Sequence, residues 1–225
     1  MDGTTAKAEK YAYTSDKQDV SAIYVKNGGV LTLTDPTITT TGNSSSHDQS
    51  SFYGLNAAVL AGKGSKISIT GGLVTTTGDS ANGVFAVGEG AEITLTKLTI
   101  KATGGGAHGV MATQGGKLTL QDVDITTAHE RAGAIATDRG GGTISVSGGV
   151  VKTAGRGSPG IYSTGKITSS GTRYTATGAE AVVIEGSNSV TLTDCELSGS
   201  RRCGVMVYQS FSGDAQGKKG TYTMT

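Results

Sequence analysis

The sequence predicts an all-β fold, a right-handed parallel β-solenoid (β-helix) of about eight coils with three short strands in each. Three observations carry this. Gly, Ser and Thr make up 93 of the 225 residues while only 2 are Pro and 16% are charged, which suits strands and tight turns and not a disordered or collagen-like chain. The 35% hydrophobic content includes no Trp, 3 Phe and 8 Tyr, so the core must be built from small aliphatic and β-branched side chains. One short pattern also recurs eight times along the chain.

The pattern begins with Ala or Gly followed by an alternating strand: 22–25, 57–60, 83–86, 109–112, 133–136, 160–163, 181–184 and 204–207. A second alternation follows, as in Val30-Leu31-Thr32-Leu33-Thr34 and Ile144-Ser145-Val146-Ser147. A third comes after it, as in Val123-Asp124-Ile125-Thr126, and Gly-Gly pairs such as 71–72 and 148–149 punctuate the strands. Taking 23, 58, 84, 110, 134, 161, 182 and 205 as the first inward positions, the repeat length wanders around about 25 residues. A left-handed hexapeptide helix would hold its period nearly constant, and the spaced Leu/Asn signature of a leucine-rich repeat is absent. No segment sustains a helical period, so helix is expected to be negligible. One domain is expected over 1–225, with 1–19 as an irregular N-terminal cap or extension and the C-terminus ending mid-solenoid in the strand-like run Thr221–Met224.

A net charge of +1 provides no field for a phosphate backbone, so nucleic acid is not the expected partner, and neither is a membrane surface. No apolar run is long enough for a membrane-spanning helix, and the start Met1-Asp2-Gly3-Thr4-Thr5 has neither the basic nor the apolar region of an export signal. No motif for a cofactor or metal is found. Cys195 and Cys203 leave a single bridge and two free thiols both open.

Inward side chains form the core of a solenoid, so function has to lie on outward side chains or in turns. On the first strand one outward ladder reads Tyr24, Val59, Phe85, Met111, Ile135, Tyr162, Val183, Met206, and the other Lys26, Ala61, Val87, Thr113, Thr137, Thr164, Glu185, Tyr208. The first is apolar or aromatic in every coil. Either it is covered, by a long turn such as 42–53, by further chain or by self-association, or it is a platform for sugar rings with Tyr24, Phe85, Tyr162 and Tyr208 as contacts. The turns entering this strand carry His108, His129-Glu130-Arg131, Arg156, Glu180 and Arg201-Arg202, and the exits carry Asp138-Arg139 and Glu185. Arg131 and Arg139, with Asp138 in the same coil, suit an acidic saccharide held by guanidinium forks; the plainer reading is solvated charge. Hydrolysis needs two carboxylates about 5 to 10 Å apart, and the ladder offers only Glu185; a turn-borne pair would be Glu130 with Asp138, or Glu185 with Glu180. On the second strand, outward Thr/Ser pairs such as Thr32/Thr34 and Thr94/Thr96 form the kind of hydroxyl array used to bind ice, although the ladder reads as broken at Thr119-Leu120-Gln121 and at 167–170.

The runs Gly-Gly-Val-Leu-Thr-Leu (28–33), Gly-Gly-Lys-Leu-Thr-Leu (115–120) and Gly-Gly-Thr-Ile-Ser-Val (141–146) resemble those of autotransporter passengers and adhesin-like β-helix proteins of secreted bacterial type. The same fold class includes pectate-lyase-like enzymes. The resemblance implies a secreted or cell-surface location and implies no reaction, because these motifs specify architecture and not chemistry. Enzymes of the class present Asp-rich motifs or clustered acidic calcium ligands, which this chain lacks. The expected function is a carbohydrate-binding or adhesive module with a polysaccharide or glycan partner. A polysaccharide hydrolase or lyase is the alternative, and an ice-binding solenoid a minor one.

Overall fold

The computed structural model describes residues 1–210 and 217–225. Among these, three parallel sheets run along the rod and hold eight, nine and eight strands. The first sheet runs from Ile23–Val25 to Val205–Tyr208, the second from Thr5–Glu9 to Thr221–Met224, and the third from Ala12–Ser15 to Glu196–Gly199. Every strand pairs with its counterpart one coil away, so each sheet is a stack of equivalent strands. The all-β solenoid of about eight turns is therefore as expected.

The passage from the second strand to the third repeats with one length throughout. Second and third strands begin at Val30 and Thr37, Lys66 and Leu73, Glu92 and Thr99, Lys117 and Asp124, Thr143 and Val150, Lys166 and Arg173, Ser189 and Glu196. A left-handed residue opens the corner each time: Lys10, Asp35, Gly71, Lys97, Asp122, Gly148, Gly171 and Asp194 all have φ between 47° and 69°, and at the Gly71-Gly72 and Gly148-Gly149 corners the second glycine has positive φ as well. Gly and Asp suit this region, and the two lysines are held there because the backbone N–H of each corner residue bonds the next coil, as in Lys97 N–H to the carbonyl of Gln121 at 2.8 Å. The other two turns absorb the variation in coil length.

The observed register changes four details. Val59 pairs with Ile23 and Val84, and Ile135 with Val110 and Ile161, so both point inward; the outward column is Tyr24, Leu60, Phe85, Met111, Ala136, Tyr162, Val183, Met206. Ala61 and Thr137 likewise belong to the inward column with Ala86 and Ala112. Two small residues precede the strand in these coils (Ala57-Ala58, Gly133-Ala134), and alternation alone does not say which of them starts it. The N-terminal segment is not irregular, since Thr5–Glu9 and Ala12–Ser15 pair with Val30–Thr34 and Thr37–Thr40. The second-sheet hydroxyl column is continuous, running Thr32, Ser68, Thr94, Thr119, Ser145, Thr168, Thr191, with only Gln121 interrupting its neighbour. Finally, the insertion in the second coil contains a helix, His47–Tyr53. Ser46 caps it, its side chain accepting from the Gln49 N–H at 3.2 Å, and Gly54 ends it with φ 75°.

The coils approach closely enough that some turns admit only glycine. A Cβ on Gly104 would lie 1.9 Å from the Gly78 carbonyl oxygen, a backbone atom that cannot yield without parting the coils. At Gly28, by contrast, φ is +75° but no atom lies within 4 Å of an added Cβ. Gly28→Ala is expected to cost about 1 to 2 kcal/mol of backbone strain, whereas Gly104→Ala should cost roughly 3 kcal/mol or more through overpacking. Urea unfolding of the two variants checks this order, and equal losses would show that the coil spacing is softer than the structure indicates.

Candidate functional site

The outward face of the first sheet is apolar, and the inserted helix covers it from Leu60 to Met111. Leu60, Phe85, Met111, Ala57 and Ala136 form a second hydrophobic cluster outside the solenoid interior, capped by the helix and Gly54. Phe85 is fully buried there, so it cannot contact a sugar, and for this stretch the covered reading of the ladder is the correct one. Polar anchors fix the helix. Asn82 Nδ2 donates to the Ser50 carbonyl and Oγ, both at 3.1 Å, Ser50 Oγ donates to the Ser80 carbonyl, and Thr113 Oγ1 donates to the Phe52 carbonyl at 2.9 Å. The ring of Phe52, at the helix end, lies 4.2 Å from the Arg139 guanidinium carbon.

Beyond the helix the sheet opens into a cleft of about 500 Å³, walled by Phe52 and Arg139 and floored by Tyr162 and Glu185, with Asp138 and Asn188 on its margin. Turn length explains its place. Asp138, Thr164, Glu185 and Tyr208 are equivalent, each in the fourth position counted from the strand starts at Ile135, Ile161, Val182 and Val205. The next strand begins at Thr143 after Ile135 and at Ser189 after Val182, but already at Lys166 after Ile161. The short Thr164-Gly165 turn is thus set back between two longer ones. Asp138 and Glu185 sit two coils apart, about 10 Å along the axis.

Glu185 is only 8% exposed and is the centre of the floor. Its Oε2 accepts from Tyr208 Oη at 3.0 Å and from Tyr162 Oη. Burial first, and then the Glu185 carboxylate, push the Tyr162 phenol far up and the Tyr208 phenol up to about 12, so both stay protonated donors at any physiological pH. On the other side of this tyrosine pair lies a shallower depression of about 260 Å³, lined by Arg201, Arg202, Glu180, Val183 and Met206.

With strands, corners and register in place, the comparison with known families is decisive: the model for the right-handed β-helix region matches residues 21–216. The chain belongs to that family. No curated protein and no solved structure gives a significant match.

On this β-helix the structure gathers Asp138, Arg139, Tyr162, Glu185 and Tyr208 of the expected site residues, and it separates the rest. Tyr24 stands 46% exposed in the first coil, on the far side of the helix. Glu130 and Arg131 are exposed on the strand-entry margin, opposite the exit turn that carries Asp138, and so the pair Glu130 with Asp138 does not converge. Glu180 and Glu185 are likewise at opposite ends of one strand, each lining a different depression. Cys195 and Cys203 are free thiols, one buried and one exposed. Phe52 and Asn188 were not foreseen; the first comes from a helix whose only local signals are Ser46-x-x-Gln49 and Gly54.

His108 supports the scaffold and does not reach the cleft. It lies partly buried in an entry turn, its backbone N–H bonded to Asn82 Oδ1 at 2.9 Å and its Nδ1 3.1 Å from the Gly133 carbonyl. Burial pushes its imidazole down to about 4, with the His47 charge adding to the effect. The unfolded chain takes up this proton near pH 6.5 and the folded chain only near 4, so His108 costs no stability above pH 6.5 and destabilises progressively as pH falls between those values. Relative to wild type, His108→Gln is expected to flatten the fall in urea midpoint between pH 7 and 4.5. Parallel curves for the two proteins would show that the imidazole is protonated in the folded state.

Proposed function

We propose that this β-helix is a carbohydrate-binding module of a secreted or cell-surface protein, with the cleft between Phe52 and Tyr162 as its binding site. The observation that supports this best is the Tyr162–Glu185–Tyr208 cluster, which runs from the cleft floor to the adjoining depression and brings two rings and a fixed acceptor together. Sugars present apolar ring faces and hydroxyls, and they fit sites that combine aromatic surface with preorganised polar atoms. The Arg139 guanidinium beside Phe52 adds a donor fork at the rim.

Hydrolysis is the second reading, because the cleft does bring two carboxylates, Asp138 and Glu185, to one opening. Glu185 Oε2 is already engaged by two phenols, and the Asp138 Oδ1 accepts from the Arg139 N–H at 2.7 Å. Both contacts favour a role in holding ligand over one in transferring protons. The ice-binding reading has a continuous hydroxyl column behind it, but the column on its other side, at the strand starts, carries Lys66, Glu92, Lys117 and Lys166, with Lys66 and Glu92 ion-paired at 3.0 Å. Such charges break the uniform hydroxyl surface.

A glycan array with the purified chain, followed by titration of the best ligand, tests the proposal. Tyr162→Ala and Glu185→Gln should each weaken binding about tenfold or more, in line with a lost hydrogen bond or ring contact of roughly 1 to 3 kcal/mol, and bound polymer should release no reducing ends. Release of reducing ends or unsaturated products that is abolished by Glu185→Gln or Asp138→Asn would establish the enzyme instead.

A further inference from the structure

The cleft and the shallower depression meet at Tyr162, which lines both. Together they form one path across the first sheet, parallel to the strands and transverse to the rod. From the Glu180 turn to the Ser187 turn this path follows extended chain for about 20 Å. The helix wall with Phe52 bounds its cleft end on the N-terminal side. The far end is arginine-rich. Arg201 and Arg202 line the depression, and Arg201 Nη1 comes within 4.0 Å of a Cβ placed on Gly157, next to Arg156. All three arginines are exposed, and none has a carboxylate within 4 Å among the described residues, whose ion pairs involve Lys10, Lys26, Lys66 and Arg173. Glu180 is the opposing charge in the depression, and it is 5% exposed.

Building on the carbohydrate reading of the cleft, we propose that the depression at Arg201 and Arg202 is a second subsite that takes an anionic group of the same polysaccharide. The ligand is then an internal stretch of an acidic glycan, lying across the Tyr162–Tyr208 pair with an uncharged ring face toward Phe52 and a carboxylate or sulfate on the arginines. Two guanidinium forks that make no ion pair with a carboxylate among the described residues match such a group in charge and geometry. The net charge of +1 keeps this attraction local, so it selects within glycans without a general affinity for polyanions.

The test titrates the whole chain with size-matched uronate, sulfated and neutral oligosaccharides, and with an oligodeoxynucleotide of equal charge. The anionic sugars should bind more tightly than the neutral ones, with an affinity that falls as salt rises. The double variant Arg201→Ala/Arg202→Ala should weaken the anionic ligands about tenfold to a hundredfold, remove most of the salt dependence and leave the neutral ligand unchanged. The lysine double variant should restore part of the loss, which separates charge from folding. The uronate and sulfate arms distinguish the two sources of the anion. Unchanged binding of anionic sugars to the alanine variant, with Tyr162→Ala still weakening them, overturns the subsite and leaves the cleft reading standing. No glycan binding in any arm overturns the cleft reading itself. Oligonucleotide binding as tight as that of the sugars, lost in the same variant, overturns the choice of polysaccharide.

Discussion

Backbone hydrogen bonding along the rod axis is the constraint on which everything else in this protein depends. A parallel stack requires each strand residue to find its equivalent about 4.8 Å away in the next coil, so the chain can gain or lose residues only where the ladder is interrupted. The corner between second and third strands is not such a place. A left-handed residue opens it, the N–H of that residue continues the axial ladder, and the length of the corner is the same from coil to coil. The turns on either side of the first sheet are free to vary, and the helical insertion and the short Thr164-Gly165 turn are found there.

This division makes the first sheet the variable face of the molecule. Its outward column is apolar where the other sheets present hydroxyls and charges, and that surface needs cover. The helix His47–Tyr53 supplies it for Leu60, Phe85 and Met111, and its end then becomes the wall of a cleft over the coils it does not reach. Cover and cleft thus have one origin.

Much of this is legible in the sequence, because a solenoid writes its architecture into local alternation. The eight leading Ala or Gly residues, the Thr-rich outward positions and the Gly-Gly turns each recur, and repetition turns weak signals into a strong one. Register is less legible where small residues come in pairs, and for that reason Val59 and Ile135 read as outward. Alternation also tells outward from inward without telling exposed from covered, which explains how Phe85 could be taken for a ligand contact when a helix seals it. The helix escapes a search for periodicity because two turns do not establish a 3.6-residue repeat. Glu185 and Tyr208 could be found because they hold the same position in successive coils, and Asp138 because it stands in an exit turn from the first strand, while Phe52 reaches the cleft through tertiary docking that no repeat encodes.

The position of the cleft follows from unequal turns on an otherwise uniform rod. If all exits from the first strand had the length of the one from Ile135 to Thr143, the margin would be level and Glu185 would lie beneath a neighbouring turn. Shortening the single exit from Ile161 to Lys166 lowers the margin between Asp138 and Asn188 and exposes the floor, without touching the seven-residue spacing that holds the sheets in register. On the entry side the spacing from third to first strand also contracts once, between the pair Val150 and Ile161 and the pair Arg173 and Val182, and keeps the shorter value at Glu196 and Val205, where the second depression lies. A recess in this scaffold therefore costs little stability, since the shortened segments contribute few ladder bonds, and the chemistry of the recess is set by the residues at the fourth position of the neighbouring coils. The cleft and the core are built by different parts of each coil, which is what allows so repetitive a core to carry a recess of this kind.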